Sequence, residues 1–141
     1  MRLVLDTNTA LSGLIWQGLP GQIIDAAMAG TVQLLSSVPL LAELEGVLQR
    51  PKFREAIQRR GAKVRDLFDG YAALVRCVEP AELPNPVCRD SDDDQVLAAA
   101  ISGKADLIVS GDDDLLALRS FQGIEIVSAR HALTLLGLAQ S

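Results

Sequence analysis

The stretch RDSDDDQVLAAAISGKADLIVSGDDDLL, Arg89 to Leu116, decides the fold. It opens on acids and runs into the alanine-rich segment VLAAAIS, a pattern that predicts a helix over 92–102 with Ser91 as its cap and Gly103 as its stop. The next residues, ADLIV (105–109), form an apolar run without alternation, as expected of a strand buried on both faces. SGDDDLL then starts a second, shorter helix over 112–119. A helix, a fully buried strand and a helix in such close succession imply a parallel sheet with helices on both faces.

The flanking sequence repeats this logic. RLVL (2–5) reads as a buried strand ending at Asp6, and Thr7, Asn8 and Thr9 supply capping oxygens. A helix is expected from Leu19 or Pro20 to about Ala29, then a strand over 32–36. Between 38 and 49, Leu40, Leu44, Val47 and Leu48 fall on one helical face, and Pro51 closes the run. Residues 52–75 read as a basic helical region broken near Gly61. A short strand over 76–78 and a loop through Pro80, Pro84 and Pro86 come next. A strand over 124–127 and a terminal helix over 129–138 complete the chain. The expected fold class is α/β: one α/β/α sandwich with a central parallel β-sheet, a single domain spanning 1–141, with no internal repeat.

Composition narrows the function classes. The chain is 49% hydrophobic but only 4% aromatic, which suits helices packed on a buried sheet better than an aromatic-rich β-sandwich. No apolar stretch approaches the about 18–20 residues that a membrane span needs, and the N-terminus lacks a signal-peptide pattern. A soluble cytoplasmic protein with no membrane partner is therefore expected. Cys77 and Cys88 form no CxxC pair and are expected as free, buried thiols. The glycines make neither GxGxxG nor a phosphate-binding P-loop, which argues against dinucleotide or NTP chemistry. His131 is the only histidine and is expected at the surface; Trp16 is expected to pack.

Charge is distributed unevenly. The net charge is −5, yet Arg50, Lys52, Arg54, Arg59, Arg60, Lys63 and Arg65 face only Glu55 in their segment. The acids concentrate in Asp90, Asp92, Asp93 and Asp94, and again in Asp112, Asp113 and Asp114. Such polarity suits a molecule that holds phosphates on one surface and cations in an adjacent pocket, although a basic run can equally be a solvated helix face. Acids at helix starts also need no function, since the helix dipole stabilises each by about 0.3–1 kcal/mol. That explanation accounts poorly for triple aspartates, whose repulsion erodes the gain. Carboxylates gathered from Asp6, an acid of the 38–49 helix and the two clusters would call for Mg²⁺ or Mn²⁺, hard cations that choose oxygen ligands. Within DSDDD the candidate ligand is Asp93. Glu43 and Glu45 lie on opposite margins of their helix's buried stripe, and periodicity does not choose between them.

Taken in order, LVLDTN, ELEGVL followed by RPKF, and the Arg89–Leu116 block resemble the PIN-domain ribonucleases. More narrowly, the chain is similar to the VapC-type toxins of bacterial toxin–antitoxin pairs. The resemblance selects Glu43 over Glu45 and implies a quartet of Asp6, Glu43, Asp93 and Asp112, acting as both catalytic and metal-binding residues. Asp92, Asp94 and Asp114 stay open as substitutes, and Ser110 stands where such proteins often carry Thr. The implied activity is Mg²⁺- or Mn²⁺-dependent endonucleolytic hydrolysis of RNA, with Glu43 as a candidate general base. The implied partners are an RNA substrate, a cognate antitoxin and a second copy of the chain in a homodimer. Two other readings compete: a PIN-like module that binds RNA or protein without turnover, and a Mg-dependent aspartyl phosphotransfer domain with Asp6 as nucleophile.

Overall fold

A computed structural model of the protein describes residues 1–138. The strands are β1 (Arg2–Leu5), β2 (Gln33–Ser36), β3 (Arg76–Cys77), β4 (Leu107–Val109), β5 (Ser120–Phe121) and β6 (Ile124–Val127). They form one sheet in the order β3-β2-β1-β4-β6-β5. All neighbours pair parallel except β5, which runs antiparallel to β6 as a short edge hairpin. That hairpin is the one departure from the expected all-parallel sheet.

The helices are α1 (Thr7–Ile15), α2 (Gly18–Met28), α3 (Val38–Leu48), α4 (Arg54–Arg59), α5 (Val64–Leu74), α6 (Ser91–Ser102), α7 (Asp113–Leu118) and α8 (Ala129–Leu135). They cover both faces, and the strand side chains alternate between them as the pleat requires. Leu3, Leu5, Leu34, Leu107, Val109 and Val127 pack with residues of α1, α2, α3, α5 and α8. Val4, Leu35, Ile108 and Ile126 pack with Val96, Leu97, Ala99 and Ala100 of α6 and Leu115 of α7. The result is an α/β/α sandwich.

Three local details differ from the sequence expectations. Thr7–Ile15 is helical, although only its capping residues were legible. Seven of its nine residues are buried, so it has no polar face to generate a periodic signal. The cap of α6 is Asp90, whose Oδ1 accepts from the Asp92 N–H at 2.9 Å, while Ser91 is the first helical residue. Cys77 and Cys88 are free, but Cys77 is exposed and Cys88 half-buried.

The sheet order positions the site. After β1 the chain builds outward through β2 and β3, then crosses to β4 on the other side of β1. Connections leaving β1 and β4 in opposite directions open a crevice at the strand carboxyl ends, where α/β folds bind ligands. Asp6 follows β1 directly, and Ser110 and Asp112 follow β4. α1 descends from this edge and crosses α2 very closely: a Cβ on Gly13 would lie 2.6 Å from Ile24 Cδ1 and 3.1 Å from the Pro20 carbonyl carbon.

Candidate active site

Asp6 is buried, 5% exposed, at the carboxyl end of the central strand. It caps α1, with Oδ1 accepting from the Thr9 N–H at 2.8 Å. Its Oδ2 accepts a short hydrogen bond from the Ser110 hydroxyl. Ser110 Oγ in turn accepts from the Asp112 N–H at 2.9 Å. Ser110, 1% exposed, thereby ties the end of β1 to the turn after β4. Asp112 caps α7, its Oδ1 accepting from Asp114 and Leu115 N–H at 2.9 and 3.1 Å, so its second oxygen stays uncommitted. The capping and site explanations thus coexist in one residue, because a carboxylate has two oxygens.

A cavity of about 200 Å³ at this edge is lined by Asp6, Thr7, Asn8, Glu43, Val47, Arg50, Asp90, Asp92, Asp93, Val96 and Asp112. All four residues of the expected quartet line it. The other candidate acids divide between this cavity and elsewhere. Glu45 points elsewhere, 3.9 Å from the Arg65 guanidinium. Asp94 spends both oxygens on the Val87 and Cys88 N–H groups at 3.1 and 2.8 Å, pinning the proline-rich loop. Asp114 is not among the lining residues. Asp90 and Asp92 are, and so is Arg50, the only basic residue there. Arg50 had been legible only as one member of the basic run.

The electrostatics are those of crowded carboxylates. Glu43 is pushed up to about 7, first by burial, then by the neighbouring Asp92 carboxyl and the charge of Asp90. The Thr7 hydroxyl opposes that rise but falls short of hydrogen-bond geometry: Thr7 Oγ1 is buried without a partner. Asp93 is pushed up to about 6 by burial and then by Asp112, Asp90, Asp6 and Asp114. Two more groups feel the same field. Burial and Asp94 push the Cys88 thiol up to about 12, and burial with Asp6 raises the Tyr71 phenol.

The donor set fits a hard divalent cation on two observations. It is all oxygen, and it leaves both uncompensated charge and an orphaned hydroxyl, Thr7 Oγ1, at the cavity wall. Among the described residues, however, no three His, Cys, Asp or Glu side chains are drawn in closely enough to hold a metal ion. A larger cavity, about 500 Å³, lies between α1, α2 and α5 and is lined by Gly13, Ile24, Leu67, Tyr71 and Leu74 among others. Its lining carries two aspartates, Asp25 and Asp66, with Arg60, and none of the four acids of the expected quartet.

The remaining expectations divide. His131 is exposed, as expected. Trp16 is 56% exposed and touches Phe53 edge-on, with ring centroids 5.8 Å apart, so it packs only in part. Among the described residues no helix is long and apolar enough to cross a membrane.

An acidic crevice at the switch point of a mostly parallel sheet defines a class of α/β proteins whose function resides at the strand ends. Residues 2–114 match the PIN domain family, and the chain belongs to it. Proteins of this family are generally nucleases and usually use divalent metals. No curated protein and no solved structure matches the chain.

Proposed function

We propose that this chain is a Mg²⁺- or Mn²⁺-dependent endoribonuclease, acting in the cytoplasm as the toxin of a toxin–antitoxin pair, with a cognate antitoxin and a homodimeric state as its partners. The observation that carries the catalytic part is the shared cavity of Asp6, Glu43, Asp93 and Asp112. The toxin role, the antitoxin and the dimer rest on the resemblance of LVLDTN, ELEGVL and the Arg89–Leu116 block alone.

In this reading Asp6, Glu43, Asp93 and Asp112 hold the cation. When bound, it supplies charge neutralisation at the phosphate and an acidified water. Ser110 keeps Asp6 and the Asp112 turn in register. Glu43 is the candidate general base; burial and the neighbouring carboxyls push it up to about 7 in the metal-free fold, and a bound cation would bring it down. The orphaned Thr7 hydroxyl is placed to hydrogen-bond a water or a phosphate oxygen at the same wall.

The test is incubation of total RNA with Mn²⁺ and either the wild-type protein or Asp6→Asn. Metal-dependent cleavage by the first and not the second supports the reading. Equal cleavage by both rejects the assignment. One competing reading is a PIN-like binding module without turnover. Manganese binding by calorimetry without RNA cleavage would select it. The aspartyl phosphotransfer reading is disfavoured, because Asn8 stands two positions after Asp6, where a phosphatase of that kind needs a second acid.

A further inference from the structure

The basic segment between Arg50 and Arg65 is not one uniform positive face. Arg59 is paired with Glu55, and Arg65 lies within 3.3 Å of Asp69. Arg60 lines the large cavity beside α2, and the Lys52 ammonium sits over the Phe53 ring, 5.1 Å from its centroid. The three others converge. Arg50, Arg54 and Lys63 line one cavity of about 230 Å³ that contains no acidic residue. Its floor is aliphatic, built from Leu48, Ile57, Ala62 and Val64, and Gln49 and Gln58 stand at its walls.

Two further features give this cavity direction. Arg50 lines both it and the carboxylate cavity, so the two are adjoining stations on one path. In addition, α5 begins at this cavity, and Lys63, the residue at its N-cap, makes no side-chain capping hydrogen bond. The positive end of that eleven-residue helix is partly offset by Asp66 in its first turn, so the Lys63 ammonium supplies most of the positive charge there. Cations around an aliphatic floor match a nucleotide unit, with phosphate on the guanidinium and ammonium groups and base against the hydrocarbon. A base is free to enter such a hollow only from a single strand, since duplex RNA keeps its bases stacked.

We propose that Arg54, Lys63 and the Arg50 bridge form a subsite for the single-stranded RNA segment flanking the scissile phosphate. The proposal rests on the endoribonuclease reading for its substrate class. It assigns Arg54 and Lys63 to strand binding, away from the chemistry, and Arg50 to the junction between the cavities.

The experiment measures fluorescence anisotropy of a fluorescein-labelled oligouridylate in Mg²⁺. Glu43→Gln protein serves as the uncleaving background, with or without Arg54→Ala/Lys63→Ala. The double substitution is expected to weaken binding about tenfold and to lower the salt slope of log K by about 1.4, the loss of two single-strand phosphate contacts. Arg59→Ala, which removes a cation outside the cavity, is expected to leave the slope unchanged. An unchanged slope in the double variant, an equal loss in Arg59→Ala, or no binding by the background protein overturns the subsite. Its failure is separable from that of the catalytic reading: RNA bound but left intact by the wild-type chain rejects the nuclease and leaves the subsite standing. All three residues are exposed, and an unchanged melting temperature verifies that the variants fold.

Discussion

Asp93→Asn is predicted to make the metal-free protein more stable while abolishing RNA cleavage. Asp93 moves from 3.8 in an ordinary setting to about 6 in the fold. The folded state therefore keeps a proton that the unfolded chain releases. The associated stability is complete below pH 3.8 and is lost as pH rises through about 6. At about 1.4 kcal/mol per pH unit, the full shift corresponds to roughly 3 kcal/mol. Asp93 lines an open cavity where solvent screens it, so about 1 kcal/mol is the expected gain from neutralisation. For a chain of this size that is about 3–5 °C in melting temperature. The assay is thermal unfolding in EDTA at pH 5 and pH 8, repeated in saturating Mn²⁺. Without metal the variant should exceed wild type at pH 8 and match it more closely at pH 5. With metal at a hundredfold excess over Kd, wild type should gain about 2.7 kcal/mol and overtake the variant. A variant less stable than wild type at pH 8 in EDTA would refute the repulsion argument and make Asp93 a structural acid.

Three further outcomes are expected. Ser110→Ala removes the donor to Asp6 and the acceptor for the Asp112 N–H, costing about 1–3 kcal/mol by urea unfolding and reducing cleavage; Ser110→Thr, which keeps the hydroxyl, should recover most of both. Gly13→Ala drives a methyl into Ile24 and the backbone at Pro20 and should cost about 1–3 kcal/mol, measured as lost thermal stability. Asp94→Ala frees the Val87 and Cys88 N–H groups, so limited proteolysis of the loop over 78–90 should accelerate while calorimetric Mn²⁺ affinity stays near wild type.

Most of the fold was legible because its longer strands are short segments with apolar centres, LVL in β1, LL in β2 and LIV in β4. RLVL and ADLIV carry no alternation, and residues buried on both sheet faces need none. The face of α3 was readable for the opposite reason: Leu40, Leu44, Val47 and Leu48 repeat with helical period and are its buried residues. α1 was not, since TNTALSGLI mixes β-branched residues and glycine with nearly uniform burial. The β5 hairpin was hidden because a two-residue edge strand leaves almost no pattern. At the site, the four acids could be named from motif resemblance, and the fold then brought them to one cavity. Asp92 stood open as a substitute ligand, whereas Asp90, Thr7 and Arg50 were harder to see. Their presence at the cavity depends on how α3, α1 and α6 meet, a tertiary arrangement that spacing along the chain does not encode.

The central claim is that Asp6, Glu43, Asp93 and Asp112 jointly bind a divalent ion despite their separation in the metal-free fold. Crystals soaked in MnCl₂ and measured at the manganese absorption edge test this directly. The account predicts an anomalous peak between these four side chains, with Glu43 and Asp93 turned inward and deprotonated. An anomalous map with no peak in that cavity, or a peak held by other residues, would contradict it.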